Sequence, residues 1–173
     1  MYEGAIIVTE PDTGRILALV SKPDFDPNTI SEVWDDLVND SNSSVLVNRA
    51  TQGLYPPGST FKILTALEYI RENPLTYQNY SFNCNGRFTS GEDTIRCFHG
   101  TKHGKVDFTT SFAKSCNSSF ANMGLTLSRT SFEDTLSSLY FNQSLPVDLT
   151  TNISKVSMGT SSSDSDLIQT VIG

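Results

Sequence analysis

The sequence is poor in basic residues and has no long apolar run. Its 173 residues include 12 Lys and Arg against 19 Asp and Glu, which gives a formal net charge of −7. Nucleic-acid binding depends on basic patches, so this balance argues against a nucleic-acid partner. A membrane-spanning helix needs about 18 consecutive apolar residues, and the sequence has no such run. No signal peptide precedes the first predicted strand either, so we expect no segment of this chain to cross a membrane.

The remaining composition is that of an ordinary folded domain. Hydrophobic residues make up 37% of the sequence. A chain of this length can bury a sizeable core and corresponds to one domain. We therefore expect residues 1–173 to belong to a single domain.

The most informative segment surrounds Ser59 and Lys62. Two prolines and a glycine at positions 56–58 form a strong turn signal, and the apolar spacing after them predicts a helix over 59–72. Residues three apart share a helix face, so the lysine amine can lie beside the serine hydroxyl. The helix dipole and burial would both lower the pKa of Lys62. A neutral amine beside a hydroxyl is a general base beside a nucleophile, which suits acyl transfer.

The same Ser-x-x-Lys pattern occurs a second time, at Ser111 and Lys114. Only Ser59 follows a Pro-Gly turn that would expose its hydroxyl at a helix start, whereas Ser111 lies inside a predicted helix. An isolated match is most often a capping serine with a solvated lysine. Context therefore favours Ser59 as the nucleophile.

Other segments show clear secondary-structure patterns. Strands are predicted at 4–10 and 15–21, joined in a hairpin by a Pro-Asp-Thr-Gly turn. Helices are predicted at 29–39, 59–72, 108–114, 118–128 and 131–140. Residues 73–105 are predicted to form loops and short strands, and 161–166 a loop that caps a helix at 167–172.

A second motif, Ser115-Cys116-Asn117, follows the predicted helix at 108–114. With both motifs the chain resembles the penicillin-binding protein transpeptidases, within the serine D,D-transpeptidase and β-lactamase superfamily. It is most similar to the monofunctional class B enzymes of Gram-positive bacteria. The resemblance also includes, in family order, the N-terminal hairpin, Asp26-Pro27-Asn28, Trp34, Asn48-Arg49-Ala50, Cys84, Cys97, His103-Gly104 and Asp166-Leu167-Ile168-Gln169.

The resemblance implies an α+β fold, in which helices pack on an antiparallel sheet beside an all-helical lobe. In the family, later strands complete this sheet, and one of them carries a third motif, Lys-Thr-Gly or Lys-Ser-Gly. Lys102-His103-Gly104 is similar but lies between the first two motifs, so we interpret it as a loop. We therefore expect residues 1–173 to be the N-terminal part of a transpeptidase domain whose C-terminal strands are missing. Such a chain should be weakly active or inactive alone.

The resemblance also implies roles for four residues. Ser59 would attack the D-Ala-D-Ala carbonyl of a peptidoglycan stem peptide, and Lys62 would accept its proton. Ser115 would relay a proton to the leaving nitrogen, and Asn117 would hydrogen-bond the substrate amide and hold Lys62. β-Lactam antibiotics would acylate the same serine. The resemblance implies neither a metal nor an organic cofactor.

Family membership would place the protein on the extracytoplasmic face of the bacterial cell membrane. Its partners there would be the glycosyltransferases and the elongation or division machinery of the cell wall. Family members are anchored by an N-terminal transmembrane helix, and we expect this anchor to be absent from the present chain.

Two other functions stay open. A serine β-lactamase or a β-lactam sensor domain shares both motifs, although the Tyr55-Pro-Pro-Gly run and the segment 48–50 favour the transpeptidase. A non-catalytic binding or structural fragment is also compatible with the missing third motif.

Three cysteines allow more than one interpretation. An extracytoplasmic location would permit a Cys84–Cys97 disulfide, with two free thiols as the alternative. Cys84, Cys97, His99 and His103 are also four possible zinc ligands, but their spacing lacks the close cysteine pair of structural zinc sites. We therefore expect no metal. Cys116, inside the second motif, is interpreted as a small apolar filler.

Overall fold

The computed structural model describes residues 3–41, 44–159 and 161–173. Two compact units make up the chain. The first combines Met1–Tyr55 with Ser144–Ile153, and the second combines Pro56–Gln143 with Ser154–Gly173.

The first unit is built on an antiparallel hairpin of β1 (Gly4–Thr9) and β2 (Ile16–Lys22). The predicted hairpin is thus confirmed, with a register shift between Val8 and Thr9 at its turn end. Helix α1 (Ile30–Asn39) follows, close to its predicted bounds. The hairpin leaves large apolar side chains in contact with solvent, among them Ile6 and Leu17.

A short helix, α2 (Arg49–Gln52), is tied to this hairpin by the buried Arg49. Its backbone N–H donates to Ser21 Oγ at 2.9 Å, and its guanidinium donates to Ser44 Oγ at 2.7 Å. Asn152 donates its backbone N–H to Thr51 O at 3.1 Å, which connects the segment Ser144–Ile153 to the same helix.

In its described residues, the second unit contains two small antiparallel sheets and five α-helices. Strands β3 (Ser81–Cys84) and β6 (Gly104–Asp107) pair with each other, as do β4 (Arg87–Ser90) and β5 (Asp93–Arg96). The helices are α3 (Lys62–Glu72), α4 (Phe108–Ala113), α5 (Asn117–Gly124), α6 (Arg129–Ser138) and α7 (Asp164–Thr170). This mixture confirms the predicted α+β class.

Helix α5 lies at the centre of the second unit and packs against α3, α7 and strands β3, β4 and β5. Its side chains Phe120, Ala121 and Met123 are fully buried in two of the hydrophobic clusters. A third cluster, around Phe61 and Phe132, joins α3, α6 and α7. Every described helix is too short or too polar to cross a bilayer.

The helix boundaries differ from the predicted ones where polar side chains cap them. Ser128 accepts a hydrogen bond from the N–H of Ser131, so α6 begins before the predicted residue 131. Ser163 and Asp166 form a reciprocal capping box, so α7 begins at Asp164 within the stretch predicted as a loop.

Candidate active site

Ser59 lies in a tight turn directly before helix α3. Residues Gly58–Phe61 form a 3-10 turn, and Gly58 has a φ of +56°, a conformation that favours glycine. The Thr60 hydroxyl donates to Pro57 O at 2.7 Å and closes the turn. Ser59 is exposed at this position, so its hydroxyl is accessible to a ligand.

Lys62, by contrast, is only 2% exposed although it is the first residue of α3. Its Nζ lies 2.8 Å from Ser59 Oγ, 3.0 Å from Ser115 Oγ and 2.6 Å from Asn117 Oδ1. Ser115 O is a more distant fourth acceptor at 3.4 Å, so the three hydrogens that a lysine ammonium can donate all have oxygen partners here. The two sequence motifs are therefore joined through one buried nitrogen.

Burial of Lys62 lowers the pKa of its amine below the ordinary value, because desolvation disfavours the charged form. The neighbouring thiols Cys116 and Cys97 oppose this shift to a smaller extent. The Nζ also lies 5.8 Å from the centroid of the Phe120 ring. Desolvation is the largest effect on this pKa, so the amine loses its proton more readily than the amine of an exposed lysine, which suits a general base.

Ser115 and Asn117 are positioned by the break between α4 and α5. The backbone N–H of Ser115 donates to Phe112 O at 2.9 Å, and Ser115 has a φ of +49°. This left-handed conformation ends α4 and turns the chain so that α5 starts at Asn117. Asn117 Nδ2 donates to Arg96 O at 2.9 Å, which fixes the orientation of the amide.

The second Ser-x-x-Lys match has no such arrangement. Ser111 is fully buried inside α4. Its hydroxyl donates to Asp107 O at 2.6 Å and lies 2.7 Å from Ser119 Oγ. Ser111 therefore has a structural environment, and Lys114 beside it is exposed.

The three cysteines are free thiols that lie close together. Cys84 Sγ is 3.6 Å from Cys97 Sγ, so the structure does not contain the disulfide predicted as one alternative. Cys97 Sγ is in turn 3.8 Å from Cys116 Sγ. Burial raises the pKa of Cys116 to about 12. Burial also opposes ionisation of Cys84, but hydrogen bonds from His103 and Gly86 outweigh it and lower the pKa of that thiol to about 6.

His103 joins these thiols, whereas His99 does not. The ligand atoms of Cys84, Cys97, His103 and Cys116 all lie within 4.8 Å of one another. The predicted set of possible zinc ligands was therefore wrong in one member, since Cys116 takes the place of His99. Cys116 is buried as expected of a filler, but it also belongs to this cluster.

Sequence analysis missed two features of the site, the Phe120 ring and the carbonyl of Arg96. Phe120 lies three residues after Asn117 on the same helix, so helical spacing could have indicated that it faces Lys62. Arg96 contributes a backbone atom, which leaves no signal in the sequence.

An exposed serine, a buried amine with a lowered pKa and a second hydroxyl lie together in the geometry that a serine–lysine nucleophile requires. Such a site can carry out acyl transfer through a covalent intermediate. The α+β fold that holds it has helices around small antiparallel sheets. Fold and site together are typical of enzymes that transfer acyl groups through a serine nucleophile.

The sequence-family model of the penicillin-binding protein transpeptidase domain matches residues 4–173 of this chain. The chain therefore belongs to the penicillin-binding protein transpeptidase family.

Two characterised relatives show the extent of the similarity. The peptidoglycan D,D-transpeptidase PbpA of Mycolicibacterium smegmatis is 34% identical over 133 residues, which cover 70% of this chain and 27% of the relative. The peptidoglycan D,D-transpeptidase MrdA of Escherichia coli is 37% identical over 122 residues, covering 67% and 19% respectively. The matched region thus spans about a quarter or less of these relatives.

Solved structures agree in fold. Penicillin-binding protein A from M. tuberculosis, in an imipenem acyl-enzyme complex, superposes with a TM-score of 0.84 at 27% identity and covers 99% of this chain and 41% of that one. A D,D-transpeptidase domain from Eggerthella lenta gives a TM-score of 0.80 at 28% identity, covering 96% and 39%. The predicted fold family is thereby confirmed.

Proposed function

We propose that this chain carries the nucleophile and proton-transfer residues of a peptidoglycan D,D-transpeptidase, and that residues 1–173 are part of one transpeptidase domain. The observation that carries the proposal is the 2.8 Å distance between the buried Lys62 Nζ and the exposed Ser59 Oγ. The relatives named as D,D-transpeptidases support the reaction type. The imipenem acyl-enzyme of a structural neighbour supports covalent binding of β-lactams.

The first step is acylation of Ser59. Its hydroxyl proton passes to the neutral amine of Lys62 as the oxygen forms a bond to the carbonyl carbon of the penultimate D-alanine. The negative charge that develops on the carbonyl oxygen is stabilised by the backbone N–H of Ser59, at the start of the turn Gly58–Phe61. The first N–H groups of a helical turn lack intrahelical partners and are available for this role.

The second step is expulsion of the terminal D-alanine. The carbon–nitrogen bond breaks, and the leaving amine takes a proton from the hydroxyl of Ser115. That hydroxyl recovers its proton from the ammonium of Lys62, since Ser115 Oγ lies 3.0 Å from Lys62 Nζ. Asn117 holds the amine through its Oδ1 at 2.6 Å, while its NH₂ group faces Arg96 O.

An amine from a neighbouring stem peptide then attacks the acyl-enzyme. The attacking amine gives a proton to the neutral Lys62 as the new amide bond forms, and Lys62 passes a proton to Ser59 Oγ, 2.8 Å away, as the ester bond breaks. This step restores the free serine and completes a peptidoglycan cross-link. β-Lactams resemble the D-Ala-D-Ala unit and acylate the same serine, and the reaction then stops at the acyl-enzyme. Because this substrate is found outside the cytoplasm, the protein would act on the extracytoplasmic face of the cell membrane. Its interaction with the elongation or division machinery of the cell wall stays a prediction.

Labelling with a fluorescent penicillin tests the proposal in protein produced from its whole gene. Ser59→Ala should abolish covalent labelling, because the variant has no oxygen to acylate. Ser111→Ala is the matched control, since it removes the serine of the second Ser-x-x-Lys match, and it should retain labelling. Loss of labelling in Ser111→Ala together with retention in Ser59→Ala would show that the wrong serine was assigned.

The lifetime of the acyl-enzyme separates a transpeptidase from a β-lactamase. A transpeptidase should keep the penicillin label long after free antibiotic is removed. Rapid release of hydrolysed penicillin with recovery of free Ser59 would contradict the proposal.

A further inference from the structure

The outer face of the hairpin formed by β4 and β5 carries two arginines directly opposite each other. Arg87 begins β4, Arg96 ends β5, and the two residues are paired across the strands. Phe88 and Ile95 lie on the other face, in the hydrophobic cluster that contains Ala121 of α5. Like charges directly opposite each other destabilise a sheet. An anion between the two guanidinium groups would offset this repulsion.

A third cation joins the two arginines around a cavity of about 480 Å³. The residues that line this cavity are Asn85, Gly86, Arg87, Arg96, Gly100 and Lys102. Among these described residues three are basic and none is acidic. The chain as a whole has 12 basic residues and a formal net charge of −7. A quarter of its basic residues that carry a full charge therefore meet at one cavity, in a protein that is otherwise acidic.

The three cations have no anionic partner in residues 3–41, 44–159 and 161–173. The ion pairs within these ranges are made by other basic residues, namely Lys22, Arg49, Arg71 and Arg129. The described contacts likewise include no side-chain hydrogen bond of Arg87, Arg96 or Lys102. An arginine has five N–H donors and a lysine has three. The cavity therefore offers many unused donors to an anionic ligand.

The backbone around the cavity holds these cations close together. Gly86 has a φ of +95°, and a Cβ atom there would lie 2.4 Å from Gly100 O and 3.4 Å from Lys102 Cγ. Only glycine therefore allows the two loops at the cavity to touch. The N–H of Cys97 donates to Gly86 O at 3.0 Å, which extends the pairing of the strands beyond Arg96. The loop that carries Lys102 is thereby fixed against the strands that carry the arginines.

The cavity adjoins the candidate active site through Arg96. The carbonyl of Arg96 accepts the hydrogen bond from Asn117 Nδ2 at 2.9 Å, while Arg96 also lines the cavity. Asn117 in turn contacts Lys62 Nζ at 2.6 Å. A peptide bound at Ser59 thus lies near a second, positively charged site. In the proposed reaction the terminal D-alanine leaves after acylation, so a carboxylate that anchors the acyl-enzyme must belong to an earlier residue of the peptide.

We propose that Arg87, Arg96 and Lys102 bind a carboxylate of the stem peptide, at a residue that precedes the D-Ala-D-Ala unit. This inference rests on the proposed function, which supplies the peptide. Guanidinium groups present paired N–H donors in the geometry of a carboxylate, and a lysine adds a compact positive charge. The cavity would select acidic stem peptides over neutral ones and would hold the acyl-enzyme in place beside Asn117.

Pairs of synthetic peptides test the site in protein produced from its whole gene. Both peptides of a pair end in D-Ala-D-Ala, and they differ only in one side-chain group, a carboxylate or the matching carboxamide. This group is placed in turn at each of the three residues before D-Ala-D-Ala. At one position the wild type should prefer the carboxylate peptide by at least about tenfold in kcat/KM, measured as release of D-alanine. Added salt should reduce this preference.

Variants identify the residues that cause the preference. Arg87→Gln, Arg96→Gln and Lys102→Gln should each reduce it by about fivefold or less, and the double arginine variant should remove it. The ratio between the two peptides is the readout, because a defect in folding or in chemistry lowers both rates alike. Lys105→Gln and Arg15→Gln are the matched controls, since both residues are exposed and lie outside the cavity. These controls should keep the full preference.

A binding measurement separates this inference from the proposed function. Ser59→Ala cannot be acylated, so its affinity for the same peptides, carrying a fluorophore, can be measured by anisotropy. If Ser59→Ala prefers the carboxylate peptide and the wild type is never labelled by penicillin, the proposed function fails and the peptide site stands. If penicillin labels Ser59 and the two peptides are equivalent at every position, the proposed site is wrong.

Two further results would also overturn the site. The first is a full carboxylate preference in the double variant of Arg87 and Arg96. The second is tight binding of inorganic pyrophosphate that the same double variant abolishes, without any preference between the peptides. The cavity would then be a phosphate site and would not recognise the stem peptide.

Discussion

Asn117 Oδ1 lies 2.6 Å from Lys62 Nζ, nearer than either serine oxygen of the site. The amide oxygen can only accept a hydrogen bond, so one amine hydrogen must point at it. The amide cannot reverse its orientation without losing the bond from Nδ2 to Arg96 O. One hydrogen of Lys62 is therefore fixed, and the remaining hydrogens or lone pair face Ser59 and Ser115.

This arrangement predicts that Lys62→Arg inactivates the site. A guanidinium stays protonated at any usable pH and cannot accept the serine proton. Because general base catalysis contributes about 10²–10⁴-fold, the rate of penicillin acylation should fall at least about a hundredfold, as measured by stopped-flow or gel labelling. Lys114→Arg, the same change at the exposed lysine of the second Ser-x-x-Lys match, should leave the rate unchanged. A Lys62→Arg variant that is acylated at the wild-type rate would show that the amine is not the base.

The lowered pKa of Lys62 predicts the pH dependence of acylation. Burial disfavours the ammonium, so the amine loses its proton at a lower pH than an exposed lysine. The acylation rate should rise with pH as the amine becomes neutral, and should level off below the ordinary lysine pKa of 10.5. Rates measured across this range in buffers of equal ionic strength provide the test. A rate that falls as pH rises through this range would contradict the assignment of Lys62 as the base.

Asn117→Asp should shift the rise of the acylation rate to higher pH. A carboxylate beside the amine favours the ammonium and raises the pKa of Lys62. Asn122→Asp makes the same change of charge five residues further along, at the end of α5, where the side chain accepts a hydrogen bond from Tyr80. This control should keep the wild-type profile. An equal displacement in both variants would mean that the effect comes from overall charge and not from the contact between Asn117 and Lys62.

Gly124→Ala should destabilise the second unit. A Cβ atom at Gly124 would lie 2.6 Å from Val171 Cγ2, and Val171 is fully buried and branched at Cβ, so it cannot move aside. Overpacking of this kind costs about 1–3 kcal/mol of unfolding free energy, measurable by denaturant titration. Gly4→Ala, which meets nothing within 4 Å, is the matched control and should change stability much less. Equal stabilities for the two variants would show that α5 and α7 are not in close contact there.

Local patterns in the sequence predicted the parts of the fold that depend on nearby residues. The hairpin of β1 and β2 followed from two β-branched and apolar stretches joined by a Pro-Asp-Thr-Gly turn, and helix α3 followed from helical spacing. The pairing of Ser59 with Lys62 followed as well, since three residues separate them on one helix face. The start of α7 was missed because the capping box of Ser163 and Asp166 extended the helix into a polar stretch.

Contacts between segments that are far apart in the sequence could not be predicted from local patterns. Ser115 and Asn117 were assigned from the family resemblance, and nothing in their local sequence shows that they reach Lys62. His103 and His99 are equally plausible ligands from spacing alone. The pairing of β6 with β3 places Gly104, next to His103, opposite Cys84. This strand pairing brings His103, and not His99, next to the cysteines. No pattern in the segment 97–103 predicts the pairing.

Ser115 occupies a left-handed backbone conformation, with a φ of +49°, that costs a non-glycine residue about 1–3 kcal/mol. Glycine would relieve this cost and would remove the hydroxyl. In the proposed function this hydroxyl transfers a proton, so stability and proton transfer place opposing demands on the residue at position 115. In a lineage that no longer needed the reaction, glycine or asparagine at this position would be free to spread. The residue at position 115 in sister genes should therefore indicate which of them still depend on the chemistry.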